Sequence, residues 1–417
     1  MEQQMYKINS NRLLSSIQTS AKYGTLPNGG LGRVALSKED QQIRDLLKSW
    51  MEDCNLDVRV DDFGNMYGRR EGKDPHASPV VIGSHLDTQP IGGKYDGVLG
   101  VMAALEVIRT LNDEGVATNR PIEMVNFTNE EGARFEPALL GSGGIARVFS
   151  AESIMNTKDK DGKTFGEELE NIGYNGSAQN RLSDPYCYVE LHIEQGPVLE
   201  DSGASIGVVT GIQGISSLEV TIHGRTSHAG TTPMKNRRDA MLLAAKMIQQ
   251  TYKTAEHTPD LLVTVGRIQA SPNVTNSLAE QVVFSIDVRH PEDTVREQYT
   301  NEIKEKISTL ALVEKMDMHI KDIVEMKAEI FAKDIVEGVE AAARKHGYSS
   351  KRVISGAGHD AMYMNKLAPT GMIFIPSIGG VSHCEEEFSE EADIEKGAQT
   401  LLELTLTLAN RDKELQR

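Results

Sequence analysis

Residues that can bind metal and move protons follow an apolar run near position 80. The run PVVI at 79–82 is typical of a buried strand, and the segment GSHLDTQPIGGKYDG at 83–97 follows it directly. This segment places His85 and Asp87 two residues apart and adds Asp96 behind a Gly-Gly turn. An imidazole beside a carboxylate can bind a metal ion through one group while the other orients it, and a further carboxylate can bridge two ions. The segment therefore indicates a metal site, with polar residues that only cap a strand and a helix as the alternative.

Further candidate ligands lie within or just after other apolar runs of the chain, and they are Glu130, Glu131, His192 and His383. Each alone could be structural, but the carboxyl ends of parallel strands meet at one edge of a sheet, where these side chains can converge. Imidazole nitrogen mixed with carboxylate oxygen suits zinc best, with manganese, cobalt or nickel as alternatives. Two ions about 3.5–4 Å apart need a bridging carboxylate, for which Asp96 is the natural candidate.

The adjacent glutamates need not share a role. One of them can bind metal while the other takes a proton from a water molecule that the metal activates.

Composition limits the kind of partner. The formal net charge of -17 argues against nucleic acid or an anionic membrane, and 39% hydrophobic with 25% charged residues is ordinary for a globular protein. Three widely spaced cysteines, Cys54, Cys187 and Cys384, disfavour a disulfide framework and favour a reducing compartment. No apolar run approaches membrane-span length, and the first residues lack a signal-peptide pattern. We therefore expect a cytoplasmic protein that acts on a small molecule.

The spacing of apolar residues predicts an α/β protein with two domains. Residues 1–213 and 328–417 alternate buried strands with helices and form a mixed-sheet domain that carries the candidate ligands. Between them the order is β-α-β-β-α-β, which predicts an inserted ferredoxin-like α+β domain at 214–327. Its predicted strands cover 218–222, 261–268, 282–288 and 316–323, and its predicted helices cover 238–252 and 291–310.

Eight segments resemble, in order and over nearly the whole chain, the amidase branch of the dinuclear zinc aminoacylase and carboxypeptidase superfamily. That branch contains N-carbamoyl-L-amino-acid hydrolases, β-ureidopropionases and allantoate amidohydrolases. The segments are GSHLDTQPIGGKYDG, NEEGARF, VELHIEQG, GRTSHAGTTPM, PNVTN, DVRHPED, SGAGHDA and MIFIPSIGGVSH.

The resemblance implies a zinc-hydrolase catalytic domain that holds two metal ions per subunit. The ligands of one ion would be His85, Asp96 and His192, and those of the other Asp96, Glu131 and His383. In the same scheme Glu130 would be the general base and Asp87 would orient His85.

The resemblance also implies that the inserted domain is a lid and a dimerisation domain of a homodimer. His228 of this domain would reach the active site of the partner subunit and polarise the scissile carbonyl. The implied substrate-binding residues are Asn276 and Arg289 for the substrate carboxylate, and Gln195, Gly358 and His359 as lining of the pocket. From the sequence alone, Arg289 could instead be an edge-strand arginine paired with Asp287, and His359 could be structural.

The function expected from this resemblance is metal-dependent hydrolysis of the carbamoyl C–N bond of N-carbamoyl amino acids to the amino acid, ammonia and carbon dioxide. Allantoate hydrolysis is the alternative, ahead of an aminopeptidase or dipeptidase and of an inactive binding homologue. The chain departs from the family pattern at two places beside the site. Cys384-Glu385 replaces Asn-Pro after His383, and Ala279 replaces the Pro that the family usually has three residues after Asn276.

Overall fold

The computed structural model describes residues 5–416 and divides the chain into two compact units. One unit comprises the chain up to Thr210 and from Ile330 onward, and the other is Gly211–Glu329. The domain limits predicted from the sequence lie within a few residues of these. Residues 1–4 and 417, which the predicted catalytic domain includes, lie outside the described residues.

The strands of residues 5–416, numbered along the chain, are β1 Asp57–Val60, β2 Met66–Arg70, β3 Val80–His85, β4 Ile122–Phe127, β5 Cys187–Ile193, β6 Ile206–Ile212, β7 Gly214–His223, β8 Leu262–Thr264, β9 Ile268–Ser271, β10 Gln281–His290, β11 Asp317–Met326, β12 Glu329–Ile330, β13 Ser350–Ser355 and β14 Thr370–Ile375.

The α-helices of the same residues are α1 Ser10–Ser20, α2 Lys38–Asp53, α3 Val98–Asp113, α4 Leu140–Ile145, α5 Ala151–Asn156, α6 Phe165–Asn171, α7 Val198–Ser202, α8 Ala240–Ala255, α9 Asp293–Glu314, α10 Lys333–Lys345, α11 Ala361–Leu367 and α12 Glu391–Ala409. Single 3₁₀ turns occur at Ala178–Asn180, Met234–Asn236 and Ile378–Gly380. None of the helices in the described part of the chain is both long and apolar enough to cross a membrane.

The first unit is built on a mixed sheet with the order β1-β2-β4-β3-β5-β14-β6-β12, and β13 also pairs with β6. Its centre, β4-β3-β5-β14, is parallel, whereas β2 and β6 run antiparallel to their neighbours β4 and β14. Every residue of the four central strands is buried, which explains why their sequences are continuous apolar runs. The mixed α/β fold predicted from the sequence is confirmed, and the carboxyl ends of four strands meet at one edge.

The second unit is a five-stranded antiparallel sheet with the order β11-β7-β10-β8, in which β9 also pairs with β10. Strand β10 alternates half-buried and buried residues, and its inward side chains join apolar residues of α8 and α9 in one core. This is the strand order of a β-α-β-β-α-β unit with one difference. The prediction of a single strand at 261–268 is wrong, because the chain forms two short strands, β8 and β9, on either side of Gly266. Both strands pair with β10.

Sequence reasoning also missed β6, whose sequence IGVVTGI was assigned to no element. Two glycines in seven residues weaken its strand pattern. The strand forms because tertiary pairing with β14 supplies its backbone hydrogen bonds.

Helix α3 lies against β3 and β5 directly behind the sheet edge that carries the candidate ligands. It approaches them closely because Gly100 has no side chain. A Cβ at Gly100 would lie 2.6 Å from the carbonyl oxygen of Leu191 and 2.7 Å from the Cβ of Ser84.

Gly100→Ala should therefore lower the free energy of unfolding by about 1–3 kcal/mol, because the helix must move away from two strands. Urea unfolding followed by circular dichroism measures the change. Gly338→Ala in α10 is the matched control, since its methyl meets only the flexible side-chain end of Leu404. This control should be neutral or gain about 0.5–1 kcal/mol. Equal stability of the two variants would contradict the close packing of α3.

Candidate metal centre

The predicted ligands of the first unit lie together at the carboxyl edge of the four parallel strands. His85 is the last residue of β3, and His192 is near the end of β5. Glu131 follows β4, and His383 lies in the loop after β14. Two groups of ligand atoms, each within 4.8 Å of one another, are His85, Asp96, His192 and Asp96, Glu131, His383.

Asp96 belongs to both groups and turns one oxygen to each. Its Oδ1 lies 3.2 Å from Nε2 of His192 and 3.6 Å from Nε2 of His85. Its Oδ2 lies 3.3 Å from Nε2 of His383, which is 3.5 Å from Oε2 of Glu131. A carboxylate with one oxygen toward each set of ligands is the arrangement that bridges two ions.

Both buried histidines are oriented by main-chain carbonyl groups. Nδ1 of His85 lies 2.9 Å from the carbonyl oxygen of Asp87, and Nδ1 of His192 lies 2.9 Å from that of Ile193. A carbonyl only accepts hydrogen bonds, so each Nδ1 carries a proton. Nε2 of each ring is then turned toward Asp96 and can bind a metal ion, and that of His192 also accepts the N–H of Gly97 at 3.1 Å.

Asp87 contacts the His85 ring through its main-chain carbonyl, and its carboxylate contacts the segment that follows β4. Oδ1 accepts the N–H of Glu130 and Oδ2 accepts the N–H of Glu131, both at 3.2 Å. The carboxylate thus fixes the segment that carries both glutamates. A spacing of two residues could show that Asp87 lies near His85, but not which of its atoms makes the contact.

The two glutamates point to different places, as expected if they differ in role. Oε2 of Glu131 lies toward His383 and accepts a hydrogen bond of 2.7 Å from Gln89. Oε2 of Glu130 lies 3.5 Å from Nε2 of His85, and Glu130 belongs to neither group of ligand atoms above. Sequence reasoning missed Gln89, although it stands two residues after Asp87 in the same motif.

Gln195, predicted to line the pocket, contacts the candidate bridging carboxylate. Its Nε2 donates to Oδ2 of Asp96 at 2.8 Å and to Oγ of Ser382 at 3.1 Å. His359, whose role was left open, is buried against His192 with ring centroids 4.5 Å apart, and its Nε2 lies 3.0 Å from Oγ of Ser355. Gly358 beside it is half-buried, and a side chain there would meet no atom within 4 Å.

Three non-glycine residues around the site have left-handed backbone conformations. They are Asn129 (φ 58°), Gln195 (φ 58°) and His383 (φ 55°). Such conformations cost about 1–3 kcal/mol each and persist where the surrounding structure holds them. The Asn129 side chain, for example, donates a 2.9 Å hydrogen bond to the carbonyl of Phe135. Asn and His adopt this conformation more often than most non-glycine residues, whereas glutamine has no such preference.

Burial and charge shift the pKa values of the site in opposite directions. Burial lowers the pKa of His85 to about 4. Burial alone would lower the pKa of His192 as well, but the hydrogen bond and the charge of Asp96 outweigh this effect and raise the pKa to about 9. Burial, and then the charges of neighbouring carboxylates, raise the pKa values of Glu130 and Glu131 well above their usual range.

These residues fit divalent cations. Nε2 of His85 and Oε1 of Glu131 are buried atoms without a hydrogen-bond partner within residues 5–416. Carboxylates that repel one another at close range are stabilised by a cation between them. A metal ion at Nε2 of His192 would replace the proton that Asp96 favours there, because a ligating imidazole is neutral. The donor set of imidazole and carboxylate suits zinc and similar ions.

The three remaining predicted residues lie in the second unit. His228 is exposed, and its Nδ1 accepts the N–H of Gly230 at 3.0 Å, so the neutral ring carries its proton on Nε2. The main chain of Ala229 bonds to that of Asn276, which is also exposed. Nε of Arg289 lies 2.7 Å from Oδ1 of Asp287. The pair considered from the sequence is therefore present, but β10 is an inner strand and Arg289 is not at an edge.

Comparisons with known proteins agree with this fold and site. Residues 81–407 match peptidase family M20/M25/M40. An N-carbamoyl-L-amino-acid amidohydrolase of Rhizobium meliloti is 42% identical over 97% of this chain and 97% of that protein. An allantoate amidohydrolase of Bacillus subtilis (strain 168) is 34% identical over 98% of this chain and 100% of that protein. A crystal structure of a hydantoinase/carbamoylase family amidase from Burkholderia multivorans matches with a TM-score of 0.90 and 42% identity, over 97% of this chain and 99% of that one.

The chain therefore belongs to peptidase family M20/M25/M40 and, within it, to the hydantoinase/carbamoylase amidases. The resemblance seen in its motifs is confirmed.

Asp87→Asn tests the contacts of the Asp87 carboxylate. The variant keeps the side-chain volume but turns an NH₂ group toward the N–H of Glu130 or Glu131, so that segment should shift. The affinity for Zn²⁺ should fall about 10- to 100-fold, as for other groups that support metal ligands. Titration against a chromophoric chelator measures it. Asp45→Asn, at an exposed carboxylate bonded to Tyr174, should leave the affinity unchanged. Unchanged affinity in both variants would contradict this role of Asp87.

Proposed function

We propose that the protein is a metal-dependent amidohydrolase that cleaves the carbamoyl C–N bond of N-carbamoyl amino acids. The products are the amino acid, ammonia and carbon dioxide. The observation that carries the proposal is Asp96, which turns one oxygen to each of two groups of metal-binding side chains. The N-carbamoyl-L-amino-acid amidohydrolase that is 42% identical over nearly the full chain supports this substrate class.

In this proposal the two groups that share Asp96 would hold two divalent ions, most suitably zinc. When bound, the ions would supply Lewis acidity for the attack of water on the carbonyl group. Manganese, cobalt and nickel are the alternatives that the same donor set allows.

Glu130 moves the proton in the proposed reaction. Water attacks the carbamoyl carbon, Glu130 takes one of its protons, and the C–N bond to the amino acid nitrogen breaks as Glu130 delivers the proton to that nitrogen. The carbamic acid that leaves decomposes to ammonia and carbon dioxide. Asp87 keeps Glu130 in place through the main chain.

The second unit completes the proposal as a lid and dimerisation domain of a homodimer. His228 would act in the partner subunit's site, where the proton on its exposed Nε2 can stabilise the oxyanion that develops on the carbamoyl group. Asn276 and Arg289 would bind the substrate carboxylate, for which a planar guanidinium offers two parallel hydrogen bonds. Gln195 and the Gly358-His359 segment would support or line the pocket.

Hydrolysis of allantoate is the second candidate, because the Bacillus subtilis relative that is 34% identical to this chain is named allantoate amidohydrolase. The departures Cys384-Glu385 and Ala279 stand beside residues of the site, where they can alter substrate preference. The proposal also places the protein in the cytoplasm, in keeping with three cysteines that are free thiols.

A turnover panel tests the function. N-carbamoyl-L-α-amino acids, N-carbamoyl-β-alanine and allantoate are supplied separately, and ammonia release is measured. We expect turnover of N-carbamoyl amino acids that is abolished by a chelator and restored by Zn²⁺ or Mn²⁺. Glu130→Gln should lower kcat by about 10²–10⁴-fold with its metal content retained, because only the base is lost. Activity that survives exhaustive chelation in a metal-free protein would refute the metal-dependent reaction.

Complementation tests the role of His228 across subunits. His228→Ala and Glu130→Gln proteins, each inactive, are mixed and allowed to exchange subunits. If His228 serves the partner, a mixed dimer has one site with both lesions and one intact site, so activity should rise toward about a quarter of the wild-type value. If His228 serves its own chain, every site keeps a lesion and no activity returns. No recovery after exchange verified by mass spectrometry would contradict the cross-subunit role.

A further inference from the structure

A buried carboxylate behind Asp96 has no part in the function proposed above. Glu387 follows His383 in the loop after β14, and only 5% of its surface is exposed. Its Oε1 accepts the N–H groups of Tyr95 and Asp96, each at 3.1 Å. Its Oε2 accepts the hydroxyl proton of Ser382 at 2.8 Å. One side chain therefore ties the segment that carries Asp96 to the segment that carries His383.

Glu387 differs from the two glutamates that precede it. Glu386 is exposed, and Glu385 is half-buried and accepts hydrogen bonds of 3.1 Å from Asn28. Three consecutive glutamates are usually a solvated surface run, so the sequence does not single out the third one. Glu387 is in none of the groups of potential ligand atoms found in the described residues, and it contacts the site through other residues.

Gly93 provides the space that Glu387 occupies. A Cβ at Gly93 would overlap Oε1 and the carboxyl carbon of Glu387. The φ angle of Gly93 lies outside the left-handed region, so its backbone does not require glycine. The neighbouring Glu387 side chain is what excludes a side chain at this position.

We propose that Glu387, with space provided by Gly93, is a positioning residue that holds Asp96 between the two metal ions. This inference rests on the metal-dependent function proposed above. The two adjacent N–H groups bound by Oε1 fix the peptide that leads into Asp96, and hence the direction in which its carboxylate projects. Since each Asp96 oxygen faces a different ligand group, loss of Glu387 should weaken the binding of both ions.

The binding of Zn²⁺ alone, measured by competition with a chromophoric chelator, tests the proposal. Glu387→Ala should lower the affinity for both ions by about 10- to 100-fold. Glu387→Gln should keep most of the affinity, because its amide oxygen can still accept both N–H groups. Glu386→Ala, the exposed neighbour, should match wild type. His383→Ala should weaken the binding of one ion only, because His383 belongs to one of the two ligand groups that share Asp96.

Gly93→Ala is an independent probe, because it removes no polar group. The added methyl displaces the Glu387 carboxylate, so the affinity for both Zn²⁺ ions should fall as in Glu387→Ala. Urea unfolding of the metal-free variants separates this role from a structural one. A structural role alone would lower the unfolding midpoint and leave the Zn²⁺ affinity of the folded protein unchanged.

The outcomes separate this inference from the proposed function. If wild-type protein takes up none of Zn²⁺, Mn²⁺, Co²⁺ and Ni²⁺, the metal-dependent function itself fails. If wild type binds two ions and both Glu387→Ala and Gly93→Ala bind them equally tightly, the function stands and the positioning role is overturned. Weaker binding of a single ion in Glu387→Ala would show that Glu387 supports only the His383 loop, and this result would also overturn the positioning role.

Discussion

The dominant constraint on this structure is the burial of several carboxylates at one edge of a parallel sheet. Asp87, Asp96 and Glu130 are buried there, and Glu131 beside them is half-buried. Buried negative charge is unfavourable unless hydrogen bonds or cations compensate it. Main-chain N–H groups and histidines supply part of that compensation, and divalent ions fit the remainder. The hydrogen bonds and the candidate ligand groups of the site follow from this requirement.

The main chain does much of the positioning. Carbonyl groups orient His85 and His192, and N–H groups tie the Glu130-Glu131 segment to Asp87. Left-handed backbone conformations at Asn129, Gln195 and His383 then give these side chains directions that a helix or a strand would not give them. Site geometry of this kind depends on the conformation of the loops that follow each strand.

The sequence could predict the sheet and the residues that meet at its edge, because continuous apolar runs mark buried strands and polar residues at their ends share one rim. It could not predict the contacts of Gln89 and Ser382, which depend on how loops fold back over the site. Glu387 was hidden within a run of acids that looks solvated. Strand β6 was hidden because its glycines weaken the pattern and its partner β14 lies far along the chain.

The chain leaves and re-enters the first unit through adjacent strands, β6 and β12. The N–H of Phe331 donates to the carbonyl of Thr210 at 3.0 Å, so one hydrogen bond spans the start and end of a 119-residue excursion, Gly211–Glu329. The second unit is therefore one continuous insertion whose two ends meet at neighbouring strands of the first unit.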